Sequence, residues 1–161
     1  MSSTTSESTI GWMFVGAQAV LLVGLVVIPW PRHLANPGWL DGAASVCFWV
    51  GLVLGVAAGL VLGRSLTATP VPLERAALKT TGPYRFVRHP IYTGVVLIVA
   101  GLAIGRESWL ALAWGAATIG FFHAKAAWEE RRLTERYPDY SAYAARTPRF
   151  VPGLRSITSR R

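Results

Sequence analysis

Residues 80–94, Thr-Thr-Gly-Pro-Tyr-Arg-Phe-Val-Arg-His-Pro-Ile-Tyr-Thr-Gly, set phenol, guanidinium and imidazole groups directly against a long apolar run. Tyr84, Arg85, Arg88, His89 and Tyr92 can hydrogen-bond, stack on a ring and compensate an anion. Groups of this kind are costly at the mouth of a membrane segment, and binding a polar ligand there is a reason to keep them. His89-Pro90 marks a helix start, because the N–H that proline lacks has no partner in the first turn. His89, Tyr92 and Thr93 then fall on one face at i, i+3 and i+4. Taken singly, the two tyrosines read equally well as interfacial anchors and His89 as a helix cap. Their conjunction points to a prepared site at a membrane surface.

A second chemical element lies further on. The apolar run ending in Phe121-Phe122-His123-Ala124 passes into Lys125-Ala126-Ala127-Trp128-Glu129-Glu130-Arg131-Arg132-Leu133 without a Gly or Pro. A continuous helix is expected to about Tyr137, where Pro138 stops it. Lys125 and Glu129 are one turn apart, while Gly120, His123, Ala127 and Glu130 align on another face. By spacing alone, a snorkelling Lys with i, i+4 ion pairs is as good an account as a ligand site.

These groups need helices to carry them. The chain has 161 residues, 52% of them hydrophobic and 15% charged, with mean hydropathy +0.39. Windows free of Asp, Glu, Lys and Arg run from Ser8 to Pro31, Gly42 to Gly63, His89 to Gly105 and Ser108 to Ala124. The first two exceed the roughly 20 residues that span a bilayer; the last two fall short, which brings His89 and Lys125 to headgroup depth. The expected fold is all-α: a polytopic membrane helix bundle, one domain over residues 1–161, with four transmembrane helices at about 10–30, 42–63, 90–105 and 108–127. Gly51, Gly55, Gly59 and Gly63 form an i+4 ladder, with Gly101 and Gly105 a shorter one, both expected to let helix backbones approach closely. Residues 64–88, broken by Pro70, Pro72 and Gly82-Pro83, form a long connection whose last turn presents Tyr84.

Charge orients the bundle. Net charge is +8, and all Lys and Arg except Arg32 and Arg106 lie between Arg64 and Arg88 or from Lys125 onward. The positive-inside rule puts those stretches in the cytoplasm, together with both termini. Anionic membrane lipids are drawn to that surface, whereas no nucleic-acid module is recognisable. The first run lacks a basic n-region and reads as a retained span. Cys47 is the single cysteine, so no Cys-based metal site or internal disulfide is expected. A transporter would show a charge at the bilayer midplane or an internal repeat, and neither is present. Ala, Gly and Arg usage reads as bacterial, and the expected location is the inner membrane.

Gly82-Pro83-Tyr84-Arg85-Phe86-Val87-Arg88-His89-Pro90-Ile91-Tyr92-Thr93-Gly94, followed by Glu129-Glu130-Arg131-Arg132-Leu133 and Tyr140-Ser141-Ala142-Tyr143, resembles the isoprenylcysteine carboxyl methyltransferase family, whose wider relatives include the phospholipid methyltransferases. The resemblance covers roughly residues 60–152. It implies an integral membrane enzyme that binds S-adenosylmethionine in a cytoplasmic cofactor pocket at the end of a helix bundle, without a Rossmann domain; the chemistry of these groups requires no metal. Carried over, Tyr84 lines the cofactor pocket, His89, Pro90, Ile91 and Tyr92 match the family's His-Pro-x-Tyr, and Glu129 holds the cofactor. Glu130 is the alternative one residue on, and the backbone around Leu78 and Lys79 completes the pocket.

Where the eukaryotic carboxyl methyltransferases place a substrate-contacting Arg one turn before this Glu, the chain has Lys125. An ammonium lacks the planar bidentate fork of Arg, which argues against prenylcysteine. The bacterial composition, where prenylated proteins are not expected, makes a small lipophilic or lipid molecule the expected acceptor. Lys125 is then the acceptor-side cation, and Glu130 or His89 is the candidate base if the acceptor is an amine or hydroxyl. A phospholipid amine N-methyltransferase is the competing enzyme reading, and a four-span transporter or scaffold the non-enzymatic one.

Overall fold

The computed structural model describes residues 2–63 and 78–153, with side chains from Thr9 onward. Residues 64–77 of the basic connection and residues 154–161 lie outside the described residues. The described chain is all-helical. Helix α1 spans Ser2–Val27 and α2 Trp39–Leu62; a 3-10 turn over Gly82–Arg85 leads into α3, Pro90–Gly105, α4, Trp109–Arg136, and the short α5, Tyr140–Arg146.

Thr9–Val27 and Trp39–Leu62 are long and apolar enough to cross a membrane, and only 11% of each apolar window is buried. Their outward faces carry exposed Trp12, Val20, Val23, Val46, Trp49 and Val53. A core helix of a water-soluble protein would hide such side chains. Helix α3 is apolar but shorter. Helix α4 runs without a break through Lys125 and Glu129-Glu130 to Arg136, and Pro138 follows the Tyr137 cap, as the sequence predicts.

Helices α2 and α3 pack with their backbones in contact. A Cβ on Gly51 would lie 2.5 Å from the Gly94 carbonyl oxygen, and one on Gly101 2.5 Å from that of Ala44. Glycine is required at both positions, because a methyl group would collide with fixed main chain. The expected ladder is used only in part, since a Cβ on Gly59, Gly63 or Gly105 would meet nothing within 4 Å. The reason is register. With Gly51 against Gly94 and Ala44 against Gly101, Gly59 lies beyond Pro90, where α3 has not begun, and Gly105 lies near the start of α2.

Helix α1 packs on α4 through side chains instead. The Trp114 indole N–H donates to the Leu21 carbonyl at 2.8 Å, and the Phe14 ring lies 5.7 Å from that of Phe121 and 5.3 Å from that of Trp128. Leu25, Val99, Ala103 and Ala111 form the buried centre. At one end, the backbone N–H groups of His33 and Leu34 donate to the Glu107 carbonyl, tying together the two short connections. At the other end, α4 extends past the bundle, and the polar residues gather against that extension.

Candidate functional site

The site is assembled where α3 starts. Gly82, at φ +59°, occupies the left-handed region that glycine adopts without a Cβ penalty. It opens the 3-10 turn that places Tyr84, 8% exposed, inside the molecule. The Tyr143 hydroxyl of α5 donates to the Tyr84 carbonyl at 2.5 Å and fixes that turn from the opposite side. His89 precedes Pro90 as the N-cap of α3. Its imidazole stacks on the Tyr92 ring with parallel planes, centroids 5.4 Å apart. Thr93, on the same face, donates its hydroxyl to the carbonyls of His89 and Phe150.

Glu129 projects from α4 into this cluster. The Tyr92 hydroxyl donates to Glu129 Oε2 at 2.9 Å, and His89 Nδ1 lies 3.8 Å from the same oxygen. One turn earlier, Lys125 is 2% exposed. Its ammonium lies 5.4 Å from the Tyr92 ring centroid and donates to Gln18 Oε1 of α1 at 2.5 Å. Tyr84, His89, Tyr92, Lys125 and Glu129 are thus brought together from the turn, α3 and α4. Pro90 and Ile91 carry the first turn of α3 beneath them. Leu78 and Lys79 are partly buried ahead of the turn.

Glu130 has different company. Arg149 donates to both of its oxygens, Nε at 3.0 Å and Nη2 at 2.5 Å. Arg88 Nε lies 3.2 Å away, and His89 Nε2 is within 3.0 Å. Burial opposes ionisation of Glu130, but the hydrogen bonds from His89 and Arg149 and the charges of His89 and Arg88 outweigh it, holding its pKa down to about 2. Tyr84 is shifted the other way. Burial first, then the charges of Glu129 and Tyr143, push its hydroxyl up to about 12, so it stays a donor at neutral pH.

Two groups in this arrangement are not among the residues singled out by motif. Arg149 reaches the site because residues 148–150 run alongside the start of α3, where the N–H groups of Arg88 and His89 donate to the carbonyls of Pro148 and Arg149 at 2.9 and 3.2 Å. Gln18 had a visible signal: it is the lone polar side chain between Thr9 and Pro31. What it bonds to depends on how α1 packs, which spacing does not reveal.

Two membrane-length apolar helices, a buried aromatic and histidine cluster and a carboxylate at the bundle end define a membrane-helix protein with a polar cluster at one rim. The sequence pattern of the phospholipid methyltransferase family matches residues 39–140, and the chain belongs to that family. It is 33% identical over 138 residues to the nickel-cobalt-cadmium resistance protein NccN of Alcaligenes xylosoxydans xylosoxydans, covering 84% of this chain and 61% of that one. It is 37% identical over 78 residues to the cobalt-zinc-cadmium resistance protein CzcN of Cupriavidus metallidurans, covering 48% of this chain and 36% of that one. The chain therefore spans about three fifths of the first relative's length and about a third of the second's.

Proposed function

We propose that this protein transfers a methyl group from S-adenosylmethionine to a lipophilic or lipid-phase acceptor at the cytoplasmic face of a bacterial inner membrane, in the manner of the isoprenylcysteine carboxyl methyltransferases. The observation that carries the reading is the meeting of Tyr84, His89, Tyr92 and Lys125 around Glu129, within a family named for methyl transfer. The donor set suits the cofactor. Glu129, bonded by a neutral phenol, keeps acceptor capacity for an ammonium or ribose hydroxyls. The first turn of α3, where Ile91 and Tyr92 carry N–H groups without an i−4 partner in the helix, favours a carboxylate. His89 and Tyr92 offer parallel ring faces, and Tyr84 a hydroxyl that does not ionise near neutrality.

When bound, S-adenosylmethionine supplies an electrophilic methyl group on a sulfonium. The chain's contribution is positional, since an in-line displacement gains most from holding nucleophile and methyl carbon aligned and dry. Lys125 is placed to compensate an anionic acceptor or an acceptor headgroup. A carboxylate or thiolate acceptor needs no base. An amine or hydroxyl would need a base, and Glu130, with its pKa about 2, holds its charge instead of taking up a proton, which leaves His89 as the candidate. The metal resistance in the relatives' names belongs to those proteins and is not carried across to this chain.

The deciding experiment is calorimetry on folded protein in detergent with S-adenosylmethionine and S-adenosylhomocysteine. Saturable, metal-independent binding of both supports the reading, and no heat with either removes it. The four-span topology, with α3 and α4 completing the crossing begun by α1 and α2, is checked separately. In a Cys47→Ser background, Arg75→Cys and Arg155→Cys should resist labelling from outside the cell.

A further inference from the structure

On the far side of α4 from Glu129, a cleft of about 760 Å³ opens between α4, α5 and residues 147–149. Arg88, Arg131, Arg146 and Arg149 line it, and Glu130 is the one carboxylate among its lining residues. Two of the guanidiniums share that carboxylate: Arg88 at 3.2 Å and Arg149 through both arms. The other two have no carboxylate partner among the described residues. Arg146 donates only to the Ala142 carbonyl of its own helix, at 3.2 Å, and Arg131 is exposed with no hydrogen bond or ion pair to a described residue. Tyr140 also lines the cleft, 3% exposed, and its hydroxyl has no hydrogen-bond partner among the described residues. Four cations against one anion leave a surplus that attracts an anion, while the hydroxyl of Ser141 adds a donor at the same cleft.

We propose that this cleft binds a phosphate group, carried by an anionic lipid or free in solution, at a site separate from the methyl-transfer pocket. Guanidinium forks match paired phosphate oxygens, and several forks converging on one concavity exceed what a solvated basic face requires. The cleft is large enough for a headgroup and not merely for a small ion. Its α4 residues, Ala127, Glu130, Arg131 and Thr134, follow the apolar run that ends at Ala124, which sets the cleft at headgroup depth if α4 crosses the bilayer. Arg88 and Arg149 have a double duty: they neutralise Glu130 on one side and present positive charge to the cleft on the other.

The test uses the full chain in neutral detergent with three probes: short-chain phosphatidylglycerol, short-chain phosphatidylcholine and inorganic phosphate. Phosphatidylglycerol should bind saturably, at least about tenfold more tightly than phosphatidylcholine, and should weaken as salt is added. Replacing both free cations in an Arg131→Gln/Arg146→Gln variant should weaken it by at least about tenfold, as the loss of charge-assisted hydrogen bonds requires. Both side chains are exposed, so helical content and S-adenosylhomocysteine affinity should stay as in the wild type. Arg131→Glu is a second variant with the same expected direction. Competition by inorganic phosphate at concentrations similar to the lipid assigns the site to free phosphate; its failure to compete assigns it to lipid. The proposal is overturned if the two lipids bind alike, if the double variant keeps wild-type affinity for phosphatidylglycerol, or if neither phosphatidylglycerol nor phosphate binds.

Discussion

Glu129 and Glu130 are neighbours on one helix, yet they sit in two different electrostatic settings. Their side chains point roughly 100° apart. Glu130 turns toward Arg88 and Arg149, hydrogen-bonded by both arms of Arg149 and ion-paired with Arg88. Glu129 turns toward Tyr92 and receives a single hydrogen bond from a neutral hydroxyl, with Lys125 one turn away. His89 bridges the two regions, one ring nitrogen 3.0 Å from Glu130 and the other 3.8 Å from Glu129. A carboxylate surrounded by cations is a fastener. One left with neutral partners is free to take a ligand's cation. The contrast explains how a single turn of α4 can both hold the rim together and present a site.

The sharpest way to break this comparison is Glu130→Gln. Removing one partner of a largely buried ion pair leaves Arg88 and Arg149 uncompensated, at a cost of about 3–5 kcal/mol. Thermal unfolding in detergent should show a large fall in the midpoint. Unchanged stability would mean that Glu130 is not the fastener.

Acid should produce a related loss. The folded-state pKa of Glu130, about 2, lies below its ordinary value of 4.5, so its stabilising contribution is complete above about pH 4.5 and disappears as pH falls toward 2. The wild-type unfolding midpoint should drop across that window. In Glu130→Gln that portion of the acid sensitivity should be absent, and an identical pH profile in the two proteins would contradict the assignment.

Glu129→Gln should have the opposite signature: little change in stability and a loss of about 1.5–3 kcal/mol in S-adenosylmethionine affinity, the worth of a charge-assisted hydrogen bond. Calorimetry reads it directly. A variant that binds the cofactor like wild type would move the site away from this carboxylate.

The smallest effect is expected at Gln18. Gln18→Ala removes one acceptor from the Lys125 ammonium, and should lower acceptor turnover by about 1 kcal/mol, a severalfold change typical of one hydrogen bond. Cofactor affinity should be unaltered. Lys125→Ala should do the same more strongly. An equal loss of cofactor affinity in either variant would place Lys125 on the cofactor side.

Much of this architecture was written in local chemistry. Pro90 sets the start of α3 because it cannot donate a hydrogen bond, Pro138 follows the end of α4, and uninterrupted apolar windows announce α1 and α2. The pairing of His89 with Tyr92 was also legible, since helical spacing fixes which residues share a face, whereas Glu129, on another helix, was named by the family resemblance and not by spacing. Tertiary packing decided what spacing leaves open. Which glycines of the ladder meet another backbone depends on the α2–α3 register, and it selects Gly51 and leaves Gly59 open. Which of two adjacent carboxylates is neutralised depends on Arg149, brought from beyond α5 by main-chain hydrogen bonds that carry no side-chain signature. The partner of Lys125 depends on α1, more than a hundred residues away in the chain. Sequence specifies each helix through short-range sterics and hydrophobic periodicity, whereas the state of a charge is set by whatever the fold places within a few ångströms of it.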